Sequence, residues 1–121
     1  MEEQTGGAAT DKEMPEMEKL IERLRMERDA EAWKAEGLKQ GTEHAARLSY
    51  REFIVIIANY DDLLMRGVSD AQDIEDLMES DWFAEHVSNL REKDPSFNEE
   101  FYLVGWLVGV LQVWTQVEDK L

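Results

Sequence analysis

Two histidines are the residues best suited to metal binding or proton transfer. His44 and His86 each follow a glutamate, Glu43 and Glu85. Neither stands in the E-x-x-H or H-E-x-x-H spacing that places two ligands on one face of a helix. Two histidines on different helices could still meet carboxylates in space, but a lone helical histidine is more often a surface or core-edge residue. The sequence therefore predicts no metal site and no cofactor.

Nucleophilic chemistry has few candidates in this chain. There is no cysteine, which excludes disulfides, iron–sulfur clusters, zinc fingers and thiol nucleophiles. Ser49, Ser69 and Ser96 each precede an apolar-periodic segment, and we interpret them as helix N-caps. We predict no catalytic residues and a protein that is not an enzyme. A small helical enzyme or metal-binding protein, with a site assembled from distant residues, is the second alternative.

A run of acidic residues is the polar feature that stands out. Between Gly67 and Leu90 there are seven acids and neither lysine nor arginine, so −7 of the net charge of −15 falls within 24 residues. The predicted partner-binding residues are these acids and one tryptophan: Asp70, Asp73, Glu75, Asp76, Glu79, Asp81, Trp82 and Glu85. Asp70 and Asp73 also suit the positive end of a helix dipole, so part of the run has a structural explanation.

Two interpretations of the acidic run stay open. In the first, it docks on a basic partner and Trp82 is an aromatic anchor. In the second, it is a solvated face that confers solubility, and Trp82 belongs to the core. The same charge repels nucleic acid phosphates and acidic membranes. We therefore expect a basic protein surface as the partner, with no direct nucleic acid binding and no membrane binding.

The elements that position these residues are all predicted to be helices. Four capping boxes mark helix starts: Thr10 with Glu13, Ser49 with Glu52, Ser69 with Gln72, and Ser96 with Glu99. Apolar periodicity predicts helices over 15–47 (with room for a break near 29), 50–66, 70–79, 81–92 and 97–119. Residues 1–12 are predicted to be a disordered acidic tail, and residues 13–121 a single helical domain.

Two pairs of glycines indicate where the longest helices cross. Gly37 and Gly41 lie four residues apart in the first long helix, and Gly105 and Gly109 have the same spacing in the last. Glycine in a helix interior costs about 1 kcal/mol, and paired glycines let two helix backbones approach closely. We predict that these helices cross at the glycines. Local relief of crowding and a homodimer built on one of these faces are the alternatives.

The last predicted helix is so apolar that it could be either a transmembrane helix or the buried centre of a bundle. Residues 101–117 are uncharged, but these 17 residues are at the short limit for crossing a bilayer, and acids flank both ends. A helix that is apolar all round can instead be the buried centre of a bundle. The N-terminus has no signal-peptide pattern. We expect a buried central helix and a cytoplasmic protein.

Together these features predict a compact all-α bundle of about five helices, with two long terminal helices crossing at their glycines and short acidic helices between them. The predicted function is a small acidic protein-binding module, such as an inhibitor, immunity protein, adaptor or assembly chaperone. It could dock as a nucleic-acid mimic, with carboxylates in place of phosphates. The alternative is a structural subunit that self-associates through glycine and tryptophan helix faces, so a homo-oligomer is compatible with the sequence.

Overall fold

The computed structural model describes the backbone from Gly7 and the side chains from Met14, in both cases to Leu121. Within this part of the chain there are six α-helices and no strand. The helices are α1 (Gly7–His44), α2 (Tyr50–Ala58), α3 (Tyr60–Arg66), α4 (Ala71–Glu75), α5 (Phe83–Lys93) and α6 (Glu99–Val117). Short 3-10 turns follow α1 and α6, at Ala45–Arg47 and Glu118–Lys120. The predicted all-α bundle is confirmed.

The parallel helices α1 and α6 form the main contact of the fold, and they meet at the paired glycines. Gly37 lies against the backbone of Tyr102, and Gly41, one turn later, lies against that of Trp106. A Cβ added to Gly41 would be 2.8 Å from Trp106 Cα, which is closer than real Cβ contacts. A Cβ added to Gly105 or Gly109 would likewise overlap the backbone of α1, at Lys34 and at Leu38 respectively. The predicted crossing is confirmed, and its glycines have no room for a side chain.

Helix α6 is the centre of the core. Its fully buried side chains are Tyr102, Leu103, Trp106, Leu107 and Val110. An all-round apolar helix is stable here because α1 covers one side and the shorter helices cover the other. None of the described helices is both long enough and apolar enough to cross a membrane.

The other tryptophans pack around this core. Phe83 of α5 lies against Trp106, with ring centroids 4.5 Å apart. Trp114 stacks on Phe53 of α2 at 5.4 Å. Trp33 of α1 meets Phe97 edge to face at 4.8 Å. The aromatic rings therefore hold α1, α2 and α5 against α6.

One of the predicted capping boxes is confirmed and two are wrong by one or two residues. Ser49 and Glu52 form the full reciprocal box at the start of α2. Helix α4 is capped by Asp70 instead of Ser69, because the Asp70 carboxylate accepts from the Gln72 N–H at 2.9 Å. Helix α6 is capped by Asn98, while Ser96 bonds to Asp94 in the preceding turn. All three true caps are residue types that accept at helix N-termini.

Several predicted helix bounds also change. The helix predicted over 50–66 is divided at Asn59, whose side-chain amide donates to the Val55 carbonyl at 2.7 Å and competes with helix continuation. Helix α3 ends as predicted at Gly67, whose φ of 75° is left-handed. Helix α1 has no break near residue 29, and α4 stops at Glu75. Residues 1–6 of the predicted tail lie outside the described residues, whereas residues 7–12 belong to α1. The side chains of the predicted Thr10–Glu13 box also lie outside the described residues.

Candidate functional site

The eight predicted partner-binding residues lie in one continuous segment of the fold. Asp70 precedes α4, Asp73 and Glu75 lie in α4, and the others lie in the turn over 76–82 and the first turn of α5. This segment is strongly acidic. The structure divides the eight residues into those that stabilise the local fold and those that face solvent.

Three of the acids have structural partners. Asp70 caps α4. Glu75 accepts a hydrogen bond from the Ala84 N–H at 2.8 Å and so caps the start of α5. Glu79 accepts from the Ser49 hydroxyl at 2.8 Å and lies 4.0 Å from Arg51. These three carboxylates are part of the scaffold.

The other four acids are Asp73, Asp76, Asp81 and Glu85, which we call the acidic face. All four are exposed. None of them takes part in the ion pairs of the described residues. Asp76 accepts one hydrogen bond, from the Gln72 side-chain amide at 2.8 Å. The acidic face therefore presents four carboxylates to solvent.

The backbone under the acidic face is fixed by carboxylates from other helices. Glu52 of α2 is only 5% exposed, and its Oε2 accepts from the Glu79 N–H at 2.8 Å. Glu99 of α6 accepts from the Ala71 N–H at 3.0 Å. Charge-assisted hydrogen bonds of this kind are stronger than neutral ones. The segment that carries the acidic face is thus held at its start and at its middle.

Trp82 is half-buried beside the acidic face. The guanidinium of Arg47 lies 3.8 Å from its ring centroid, in cation–π geometry. His44 packs edge to face against the same indole, with centroids 5.0 Å apart. Arg47 thus brings a positive charge next to an acidic segment that has none of its own. Part of the Trp82 ring belongs to the core, and the remainder faces solvent.

A polar cluster between α1, α5 and α6 was not predicted from the sequence. The Trp106 indole N–H donates to Nδ1 of His44 at 2.9 Å. The Tyr102 hydroxyl donates to Oε1 of Gln40, and Nε2 of His86 lies 2.9 Å from the same oxygen. The two imidazoles are neighbours, with centroids 4.9 Å apart. We call these five residues the histidine cluster.

Hydrogen bonds fix the tautomer of each imidazole. Gln40 donates its Nε2 to Glu36 at 2.7 Å, so its Oε1 must face Tyr102 and His86. His86 therefore carries its proton on Nε2 and donates it to that oxygen. His44 accepts at Nδ1, so its proton is on Nε2 when the ring is neutral.

Burial keeps both imidazoles neutral near pH 7. Desolvation, with smaller contributions from His86 and Arg47, lowers the pKa of His44 to about 4. Desolvation and then Arg47 and Lys93 lower the pKa of His86. Burial also raises the pKa of Tyr102, so its phenol stays protonated. The cluster is a set of neutral donors and acceptors.

Metal binding finds no support in this geometry. Among the side chains from Met14 onward, no group of three or more histidines and carboxylates is close enough to hold a metal ion. The hydrogen bonds of His44 and His86 go to an indole, an amide and a phenol. The arrangement can orient buried aromatic side chains, and it can respond to protonation.

No family model matches this chain. None of the curated proteins and none of the solved structures matches it either.

The histidine cluster has a weak signal in the sequence. Gln40 and His44 are spaced i, i+4 on α1, and Tyr102 and Trp106 have the same spacing on α6. The close approach at the glycines brings each residue of the first pair to the residue 62 positions later. The parallel direction of the two helices had to be known before these pairs could be matched.

Proposed function

We propose that this chain is a small non-enzymatic binding protein that docks on a basic protein partner through the acidic face. The observation that carries the proposal is that Asp73, Asp76, Asp81 and Glu85 are exposed and have no cationic partner among the described residues. Carboxylates that need no internal partner are available to lysines and arginines of another protein. The electrostatic field of these carboxylates raises the association rate with basic proteins and disfavours acidic partners.

Rigidity of the acidic segment supports the same proposal. Carboxylates of Glu52, Glu75 and Glu99 accept hydrogen bonds from backbone N–H groups of this segment, which is therefore held at three points. A pre-organised surface loses less conformational entropy on binding. The solvent-facing part of Trp82 adjoins these acids and offers an apolar contact at the edge of the surface.

An inhibitor, immunity protein, adaptor or assembly chaperone would use such a surface. A group of exposed carboxylates also suits nucleic-acid mimicry, in which the basic partner is itself a DNA- or RNA-binding protein. We propose a cytoplasmic location, because a chain without cysteine suits a reducing compartment.

Self-association through the glycine faces is the alternative function. It has a structural difficulty, because Gly37, Gly41, Gly105 and Gly109 are all occupied within one chain. A dimer on these faces would require α1 and α6 to separate. The acidic face needs no such rearrangement, and we therefore prefer it.

The test compares two variants with equal net charge. The face variant carries Asp73→Asn, Asp76→Asn, Asp81→Asn and Glu85→Gln. The control variant carries four neutral substitutions at exposed acids elsewhere: Glu31→Gln, Glu43→Gln, Glu118→Gln and Asp119→Asn. Each variant removes four of the 28 acids, so bulk charge is matched. Tagged proteins are incubated with native lysate at low and high salt, and the captured proteins are identified by mass spectrometry.

We expect the parent and the control variant to capture the same basic protein, and the face variant to lose it. Capture should weaken at high salt, because the contact is between exposed charges. Adding DNA or RNA as a competitor distinguishes mimicry, since only a nucleic-acid-binding partner would be displaced. Equal capture by the face variant would overturn the proposal and leave solubility as the role of the charge.

A further inference from the structure

The first half of α1 extends beyond the rest of the bundle. Every residue from 14 to 28 is exposed, and Ala30 is the first buried residue among the described side chains of the helix. Phe101, near the start of α6, lines a groove with Met26 and Ala30, so α6 begins level with that point. We call residues 14–28 the arm. It is about 22 Å long at the rise of an α-helix.

The arm has an apolar stripe that nothing in the described chain covers. Met14, Met17, Ile21 and Leu24 follow the 3-4-3 spacing of a coiled-coil seam, and Leu20 widens it. Their side chains are between 43% and 57% exposed. A helix face with this pattern is normally buried against another helix. The arm is already held as a helix by the packed second half of α1, so pairing has no nucleation cost.

The charge of the arm differs from that of the rest of the chain. Its acids are Glu16, Glu18, Glu22 and Glu27, and its bases are Lys19, Arg23, Arg25 and Arg28. Four of each sign give a net charge of zero, so residues outside the arm carry the whole −15. A second copy can therefore approach the arm without the repulsion that the strongly acidic segments of this chain impose.

The distribution of these charges selects an orientation. The first half of the arm carries a net −1 and the second half a net +1: Glu16, Glu18 and Lys19 lie before residue 21, and Glu22, Arg23, Arg25, Glu27 and Arg28 lie after it. An antiparallel second arm sets acidic half against basic half at both ends. It also places the two acidic bodies at opposite ends of the pair, about 22 Å apart. That separation exceeds two Debye lengths of about 8 Å, whereas a parallel pair would set the bodies side by side.

We propose that the arm binds the arm of a second copy of this chain, with the two helices antiparallel. This interface lies at the opposite end of α1 from His44 and Trp82, so it is independent of the acidic face. The five apolar side chains of the stripe in each copy cover on the order of 1,000 Å² in total, the size of a weak and reversible interface. The dimer should consequently depend on protein concentration.

The first test is the molar mass of the full chain over a hundredfold range of concentration. We expect the mass of the parent to rise from 14.1 kDa toward twice that value. Ile21→Gln with Leu24→Gln should stay monomeric with an unchanged circular dichroism spectrum, because both residues are exposed. Ile54→Gln with Met65→Gln removes two exposed apolar side chains outside the arm and should behave like the parent. A parent mass that does not change, or dimerisation of the arm variant, would overturn the proposal.

The second test determines the orientation by disulfide trapping in a chain that has no cysteine of its own. A disulfide needs Cβ atoms about 4 Å apart. When the seam residues 14, 17, 21 and 24 align with those of an antiparallel arm, residue 14 faces residue 24 of the partner. The two copies of either end residue are then about 15 Å apart. An oxidised mixture of the Met14→Cys and Leu24→Cys proteins should form a mixed disulfide, and each protein alone should not. Efficient cross-linking of Met14→Cys with itself would show a parallel pair and contradict the proposed orientation.

Discussion

The indole N–H of Trp106 donates a hydrogen bond to Nδ1 of His44 at 2.9 Å, across the closest approach of α1 and α6. Trp106 is fully buried, and a buried indole N–H requires an acceptor. One turn earlier on each helix, Tyr102 donates to Gln40 in the same way. The close parallel packing of α1 and α6 at the glycines thus also brings two pairs of side chains into hydrogen-bond distance.

Removing the acceptor of Trp106 should destabilise the protein. His44→Ala leaves the buried N–H unpaired, which costs about 1–3 kcal/mol of unfolding free energy. His44→Asn should lose less, because its Oδ1 can take the position of Nδ1. Urea unfolding at about pH 7.5, where both imidazoles are neutral, measures the difference. Equal losses in the two variants would mean that packing alone accounts for the role of His44.

The free energy of unfolding should decrease as the pH is lowered through the range in which His44 titrates. The pKa of His44 is lowered from 6.5 to about 4 in the folded protein, so the unfolded chain binds the proton more readily between these values. The contribution of His44 is complete above pH 6.5 and is lost as the pH falls toward 4. After allowance for its partial exposure, the loss should be about 1–2 kcal/mol.

The measurement for this prediction is the melting temperature from about pH 7.5 to pH 4.5, compared between the parent and His44→Asn/His86→Gln. The double variant keeps an acceptor at position 44 and a donor at position 86 without a titrating ring. Its carboxylates are those of the parent, so the difference between the two curves isolates the histidines. Superimposable curves would show that the cluster does not sense pH.

Adding one methyl group at the helix crossing should be severely destabilising. A Cβ on Gly41 would overlap the Trp106 backbone, which cannot move aside as a side chain can. We expect Gly41→Ala to lose about 3 kcal/mol by overpacking, despite the higher helix propensity of alanine. Gly67→Ala is the control, because its nearest atom is 3.6 Å away and only its φ of 75° is unfavourable. It should cost about 1 kcal/mol by chemical denaturation. A smaller loss for Gly41→Ala than for the control would contradict the close crossing.

The buried carboxylate of Glu52 should be sensitive to an isosteric change. Its two oxygens accept from the N–H groups of Ser49 and Glu79, both at 2.8 Å. Glu52→Gln places an amide N–H₂ against one of these donors, which should cost about 1–3 kcal/mol. Hydrogen exchange should report faster opening around Glu79 in this variant. Glu118→Gln, at an exposed position, is the matched control and should leave both stability and exchange unchanged.

The helices could be predicted from local patterns because their starts and stops are determined by neighbouring residues. The Ser49–Glu52 box and the Gly67 helix stop depend on neighbours in sequence, and both are confirmed. The paired glycines indicated the crossing because their cost in an isolated helix requires a tertiary explanation. The prediction named the wrong capping residue where two good acceptors are adjacent, as at Ser69 and Asp70. Sequence alone does not decide which acceptor reaches the helix N–H groups.

The candidate sites were harder to predict, for physical reasons. The acids of residues 70–85 were identified by composition, but Glu75 and Glu79 turned out to bind Ala84 N–H and Ser49 Oγ. Those partners depend on loop geometry that has no periodic signal. The contact of His44 with Trp106 spans 62 residues and becomes visible only when α1 and α6 are placed parallel and in register.

The parallel direction of α1 and α6 has a consequence for how the chain folds. Two helices joined by a short turn are antiparallel, whereas here residues 45–98 must carry the chain back along the whole bundle before α6 can begin. The glycine contact therefore closes a long loop, and its entropic cost comes before any of its contacts are gained. Helical proteins usually fold quickly because their contacts are local in sequence. This bundle depends on a distant pairing at its centre, so its folding rate should be limited by the docking of α6 on α1 and not by helix formation.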